Sequence, residues 1–423
     1  MSDCGCPEYN RLTRRHFLGA GAASMLGLLR PELLYGAVGP RATTKAVILL
    51  WMNGGQSHID TWDPKPGRAT GGPIAAIDTA AKGIQISQHM PRIARQFADI
   101  SLVRSLTSQE GSHERAQYLM HTGYLPLGSF QHSALGSTVW KMKGRANPDL
   151  PAFVHVGSGV LPAGHLGSAY APFQVGSPEG ATDNIEHHRS VNAERFERRL
   201  DLLRKLDNPF ARKYSKDEVV KAYGDYYNAA HKMMKSDSAS AFDLELEAGD
   251  VRGTYGETFF GQGCLLARRL VQAGVRFVEV TLGGWDTHQD NFTRVAELSG
   301  QVDRGVSALL DDLRRLKLLD HTLIVLCSEF GRTPEINPNS GRDHWPRVWS
   351  AMLAGGGISG GRVIGESTPD GHEVARDPVQ VGELHATICK CMDIDPTVTN
   401  YAADGRPIRI VENLKHKAIA GLF

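Results

Sequence analysis

Short, unbroken apolar runs recur along the chain, each followed by glycine and polar residues and separated by stretches of helical spacing. Residues 45–52 (KAVILLWM) and 322–327 (TLIVLC) predict strands buried on both faces, because a half-exposed strand would alternate apolar and polar positions. Segments 100–103, 152–156, 276–282 and 348–353 are further strand candidates. Helical spacing occupies about 90–97, 114–120, 259–273, 294–316 and 381–392, and the third of these stops at Gly274, a residue type suited to close a helix. Strands alternating with helices predict an α/β fold, a doubly wound mixed sheet with helices on both faces. Residues 191–250 are helical in pattern and densely charged (AERFERRLDLLRKL, then KDEVVKAYGDYYNAAHKMM), which predicts a helical insertion with solvated charged faces. The tail through Gly405-Arg406-Pro407 reads as irregular.

At the amino terminus, Thr13-Arg14-Arg15-His16-Phe17-Leu18 precedes the mildly apolar run GAGAASMLGLL. This pattern predicts a twin-arginine export signal ending near residue 39, with residues 40–423 forming one domain. Gly19, Gly21 and Gly27 weaken the run as a helix, and Arg30 and Pro31 interrupt it before it reaches bilayer length. The expected destination is the periplasm or the exterior, reached through the twin-arginine machinery, with no stable membrane span in the mature chain.

A formal charge of +1 over 423 residues gives no electrostatic case for nucleic acid as a partner. Of the six cysteines, Cys4 and Cys6 lie ahead of the export signal; Cys264, Cys327, Cys389 and Cys391 are expected to be buried free thiols. Seventeen histidines are present, many in short motifs beside glycine, aspartate or serine. The trio His187-His188-Arg189 reads as solvated loop, and Asp63 as turn chemistry.

Four strand candidates end in polar clusters: Asn53 to Asp60, Thr107 to His113, Asp286 to His288, and Glu329 to His344. Parallel strand ends share one edge of a sheet, where open α/β sheets hold ligands, so the clusters are expected to form one site. Asp286, His288 and His344, with Glu329, His58 and Asp60, are the expected metal ligands, and His113 a further contributor. Such a mixture suits zinc, manganese or calcium, singly or as a pair. A divalent ion of that kind promotes displacement at a phosphoryl or sulfuryl centre, with Arg332 and Arg342 placed to hold the oxyanion. Ser112 opens a helix and reads either as its N-cap or as a nucleophile.

The motifs NGGQSHIDTWDPKP, GSHERAQYLMHTGY, GGWDTH, SEFGRTP, GRDHWP and DPVQVGELHATICKCMDIDP…DGRP span nearly the whole mature chain. By them the chain resembles the DUF1501 family of exported proteins, which is similar to the sulfatases and alkaline phosphatases. The resemblance implies an alkaline phosphatase-like fold and a metal-dependent hydrolase of sulfate or phosphate esters, on a small-molecule or carbohydrate substrate. Ser112, His113 and Arg332 are the expected catalytic residues, with a metal-bound hydroxide as the alternative nucleophile. Asn53 stands where those enzymes carry an Asp, Phe330 where they carry a His, and Ser112-His113-Glu114-Arg115 replaces the sulfatase nucleophile motif. A formylglycine nucleophile is therefore not expected. The alternative function is a non-catalytic periplasmic or envelope binding protein that retains the fold.

Overall fold

The computed structural model describes residues 44–423 apart from 129, 160–162, 184, 186–189, 215–217 and 403. The expected export signal and His187-His188-Arg189 lie outside the described residues. The main sheet has nine strands: β1 (Ala46–Met52), β2 (Ile100–Thr107), β3 (Phe153–Val156), β4 (Phe173–Val175), β5 (Phe277–Leu282), β6 (Thr322–Cys327), β7 (Trp349–Ala354), β8 (Arg362–Ile364) and β9 (Val379–Gln380). Their spatial order is β8-β2-β7-β6-β1-β5-β3-β4, with β9 also paired to β2.

Burial on both faces explains why the central strands read as unbroken apolar runs. In β1, Ile48, Leu50 and Met52 join one core, while Val47, Leu49 and Trp51 join the other. The first core is covered by α7 (Phe259–Gln272) and α8 (Asn291–Arg315), the second by α2 (His113–Thr122), α3 (Leu135–Lys143) and α9 (Val381–Cys391). The short α1 (Pro91–Arg95) also packs on the first face, as does α6 (Gly249–Tyr255) through Tyr255. The insertion is a pair of helices, α4 (Ala193–Lys213) and α5 (Glu218–Lys235). The four cysteines within the described residues are buried and free, as expected.

Three details differ from the pattern reading. Strand β2 runs to Thr107, because Arg104 and Ser105 continue it while their side chains bind the carbonyl oxygens of Trp62 and Asp377. The tail is not wholly irregular: residues Thr399–Tyr401 and Pro407–Arg409 form an antiparallel ladder. Strand β7 runs antiparallel to both β6 and β2, whereas the other pairings in this sheet are parallel. No crossover helix separates β6 from β7, so the chain turns back at the edge where β6 ends. The carboxyl ends of β1, β2, β5 and β6 and the start of β7 therefore share one edge.

Candidate metal centre

At that edge three loops pack with almost no clearance. Gly54 has φ +117°, and a Cβ there would lie 2.5 Å from the Asp286 nitrogen. Only glycine lets the loop after β1 rest on the loop after β5 in this way. The loop after β6 joins them through Ser328, whose hydroxyl donates to the Met52 carbonyl (2.8 Å) and accepts from the Gln56 amide (2.9 Å). The fully buried Glu329 uses one oxygen, Oε1, to accept from the Gly54 amide at 2.9 Å and to meet His113 Nδ1 at 2.7 Å.

His113 is the first residue of α2, and its ring faces two others across the loops. In all three imidazoles Nδ1 is engaged by an oxygen: His113 by Glu329, His288 by Asp343 Oδ1 (2.7 Å) and His344 by the Gly111 carbonyl (2.7 Å). Donation from Nδ1 fixes the tautomer and leaves the Nε2 lone pair as the metal-binding atom. Those three Nε2 atoms converge on Asp286 Oδ1, at 3.4 Å from His113, 3.1 Å from His288 and 3.4 Å from His344. His288 Nε2 and His344 Nε2 are 3.0 Å apart. Ligand atoms ~2.0–2.1 Å from a tetrahedral zinc ion are separated by about 3.3 Å, which the three Asp286–imidazole separations and the His288–His344 separation approach. Donor atoms of His113, Asp286 and His344 all lie within 4.8 Å of one another.

Electrostatics favour the charged and neutral forms this chemistry needs. Partial burial works against the Asp286 charge, but the hydrogen bond and charge of Arg332, with His113 and His288 behind it, bring its carboxyl down to about 2. His344 is held below the usual imidazole range by partial burial and the nearby Arg332 and His113, which keeps a lone pair available at neutral pH. His113 is shifted upward by its hydrogen bond to Glu329, so proton and metal compete at this position. Phe330 sits against the His113 and His344 rings, with centroids 4.9 and 4.8 Å away, and walls the centre with an apolar ring.

The structure thus gathers Asp286, His288, His344, His113, Glu329 and Arg332, but not the other residues singled out from sequence. Glu329 supports His113 through Nδ1 from behind the converging Nε2 atoms. Asp60 is fully buried and bound by both oxygens to Arg342 (2.7 and 2.9 Å), with Ser57 and Asn291 donating to it as well. Arg342 has its remaining donors on the carbonyls of Thr70, Thr333 and Pro334, so neither partner is free for a ligand. His58 is buried with Nε2 on the Gly371 carbonyl (2.9 Å), and burial lowers its pKa to about 4. Arg332 is fully buried, bound to the carbonyls of Gly54, Gly55 and Arg342 and to Asp286. It brings a fixed charge to Asp286 Oδ1, the same oxygen on which the three Nε2 atoms converge. Ser112 caps α2 by position only; its exposed side chain makes no capping hydrogen bond. Asp63 is structural, paired with Lys65 and Arg104. Sequence reasoning missed Asp343 and Gln117; Asp343 adjoins His344, and Gln117 lies one helical turn beyond His113.

A search of curated protein sequences finds no match. Among solved structures, the chain is similar to the PsFucS1 sulfatase from Pseudoalteromonas sp., at 12% identity and TM-score 0.40, covering 88% of this chain and 71% of that one. It is also similar to an alkaline phosphatase superfamily protein from Vibrio parahaemolyticus (10% identity, TM-score 0.38, 88% and 76% covered). A third is the C-terminal periplasmic domain of EptC from Escherichia coli in complex with zinc (10%, 0.39, 90% and 99%). The profile of the family described as "Protein of unknown function (DUF1501)" matches residues 44–423. With nearly the whole described chain inside that match, the protein belongs to the DUF1501 family.

Proposed function

We propose that this protein is an exported, divalent-metal-dependent hydrolase of sulfate or phosphate esters. The observation that carries the reading is the convergence of three Nε2 atoms on Asp286 Oδ1, each imidazole held from behind by an oxygen at Nδ1. His113, Asp286, His288 and His344 would hold the ion, and three histidines with a carboxylate favour zinc. A divalent ion there supplies Lewis-acid polarisation of a phosphoryl or sulfuryl oxygen. Glu329 and Asp343 orient His113 and His288, and Arg332 fixes the Asp286 carboxylate. The start of α2 adds unpaired backbone N–H groups suited to an anion, with Ser112 exposed beside them as the nucleophile candidate. Among the described residues no helix is long and apolar enough to cross a membrane. Export rests on Arg14 and Arg15; replacing both by Lys should leave a reporter fusion in the cytoplasm.

Metal analysis of the purified protein, with turnover assays on aryl sulfates, phosphate monoesters and phosphate diesters in zinc, manganese or calcium, tests the reading. Bound metal is expected, with turnover lost in Asp286→Ala and His344→Ala and kept in His231→Ala. Phe330, which fills a ring-sized place between His113 and His344, favours a second reading. That reading is a non-catalytic envelope binding protein; tight metal binding with no turnover on any ester would establish it. Less than about half an equivalent of metal after reconstitution would overturn both, since a site needs its full ligand count.

A further inference from the structure

The helical insertion is densely charged, yet it also exposes an apolar row that a solvated helix does not need. The amino-terminal half of α4 is anchored to α5: Glu197 pairs with His231 (2.8 Å) and Lys235 (2.5 Å), and Leu200 is buried. Beyond that, every described side chain from Arg204 to Tyr214 is exposed. Leu202, Leu206 and Phe210, each one turn from the next, are 59%, 67% and 58% exposed. The Tyr214 ring leans on Phe210, with centroids 4.7 Å apart. A lone exposed leucine is ordinary on a protein surface, but bulky apolar side chains in a continuous row form a patch.

Charge is sorted along the same helix. With about 3.6 residues per turn, the half of α4 that holds the row also holds Arg195, Arg198, Arg199, Lys205 and Lys213. The acids of α4, Glu194, Glu197, Asp201 and Asp207, all fall on the other half. Arg198 reaches round the helix to Glu194 (2.5 Å), and Lys213 lies over the Tyr214 ring, 5.3 Å from its centroid. Pro209 lies within the exposed end and removes one helix hydrogen bond, so a surface covering the row would stabilise this end.

This sorting selects the occupant. A second copy of the chain would set two rows of cations against each other. Peptides are recognised in grooves or along sheet edges, and a helix exposed all round offers neither. An anionic bilayer suits both features: apolar side chains enter the acyl boundary, and the flanking Lys and Arg reach headgroups with their long stems. The charges of α4 keep it from crossing the bilayer, so it lies along the surface. We infer that α4 attaches this protein to a bilayer surface rich in anionic lipid, through Leu202, Leu206 and Phe210 and the cations beside them.

Flotation of the full chain with vesicles of phosphatidylcholine alone, or mixed with phosphatidylglycerol, tests this. Binding is expected only with phosphatidylglycerol, and it should fall as salt rises. Leu206→Ser with Phe210→Ser removes two large apolar contacts and should weaken partitioning at least about 100-fold. Arg199→Glu with Lys205→Glu should abolish the preference for anionic vesicles. All four positions are exposed, so metal content and urea midpoint should match the native chain and show that the variants fold. The amino-terminal segment is the same in every variant. Binding that survives both pairs of substitutions therefore runs through another part of the chain and overturns the inference. Equal binding to both kinds of vesicle overturns it as well. No binding to either overturns it and leaves the face to an acidic protein. A concentration-dependent dimer lost in the same variants would assign the face to a second copy and overturn it too.

Discussion

His288 Nε2 and His344 Nε2 face each other at 3.0 Å while both rings give their Nδ1 protons to oxygen acceptors. Two lone pairs at that separation repel unless a proton or a metal ion lies against them. Replacing His288 or His344 by Ala is therefore expected to weaken zinc affinity by at least about 100-fold. Glu329→Gln, which keeps the size but weakens the hold on His113, should weaken it about 10- to 100-fold. Competition titration against a chromophoric chelator measures all three.

Asp60 and Arg342 form a wholly buried bidentate pair away from the centre. Removing one member strands a charge, which typically costs about 3–5 kcal/mol. Asp60→Asn and Arg342→Met should each lower the urea midpoint accordingly. If Asp60→Asn instead left stability intact and abolished metal binding, the ligand role expected from the sequence would be restored.

Stability should fall with acid over a window set by buried histidines. His58 and His385, both lowered to about 4 mainly by burial, stay neutral in the folded protein when the unfolded chain, at 6.5, takes up protons. A depressed folded pKa means stability is fully present above 6.5 and is lost as pH falls toward 4. Each contributes up to about 1.4 kcal/mol per pH unit in that window. His113 and His121 are shifted upward, so they act above 6.5 and do not cancel this slope. Urea midpoints of chelated protein at several pH values check it, and His58→Gln or His385→Gln should each remove its share.

Gly54→Ala combines a left-handed backbone with a Cβ 2.5 Å from the Asp286 nitrogen. It should destabilise the fold by more than about 1 kcal/mol and lower metal affinity at the same time, because the loop carrying Asp286 must move. Loss of stability with unchanged affinity would show that the two loops are not coupled.

How legible this was in the sequence depended on how local the signal is. Runs such as KAVILLWM and TLIVLC announced the buried strands because burial on both faces leaves no polar position to confuse the pattern. Asp286 and His288 were visible because they follow the end of β5 closely, and His344 because it lies in the polar loop that leads into β7. The direction of β7 was not legible, since an apolar run reads the same in either orientation. Nor were the true settings of Asp60 and Arg342, which depend on contacts 282 residues apart.

The return loop between β6 and β7 supplies Glu329, Arg332, Asp343 and His344, yet of the converging donor atoms it carries only one. The others come from α2 and from the loop after β5, each far away in the chain. No single hairpin or βα unit of the protein holds enough donors to capture an ion early. The donor atoms meet only after β5, β1 and β6 have paired and α2 has docked, so metal capture would be a late event in folding and a record of its completion. On the proposed twin-arginine route, where chains cross already folded, the identity of the ion would then be settled in the compartment where the sheet closes, by whichever fitting metal is available there.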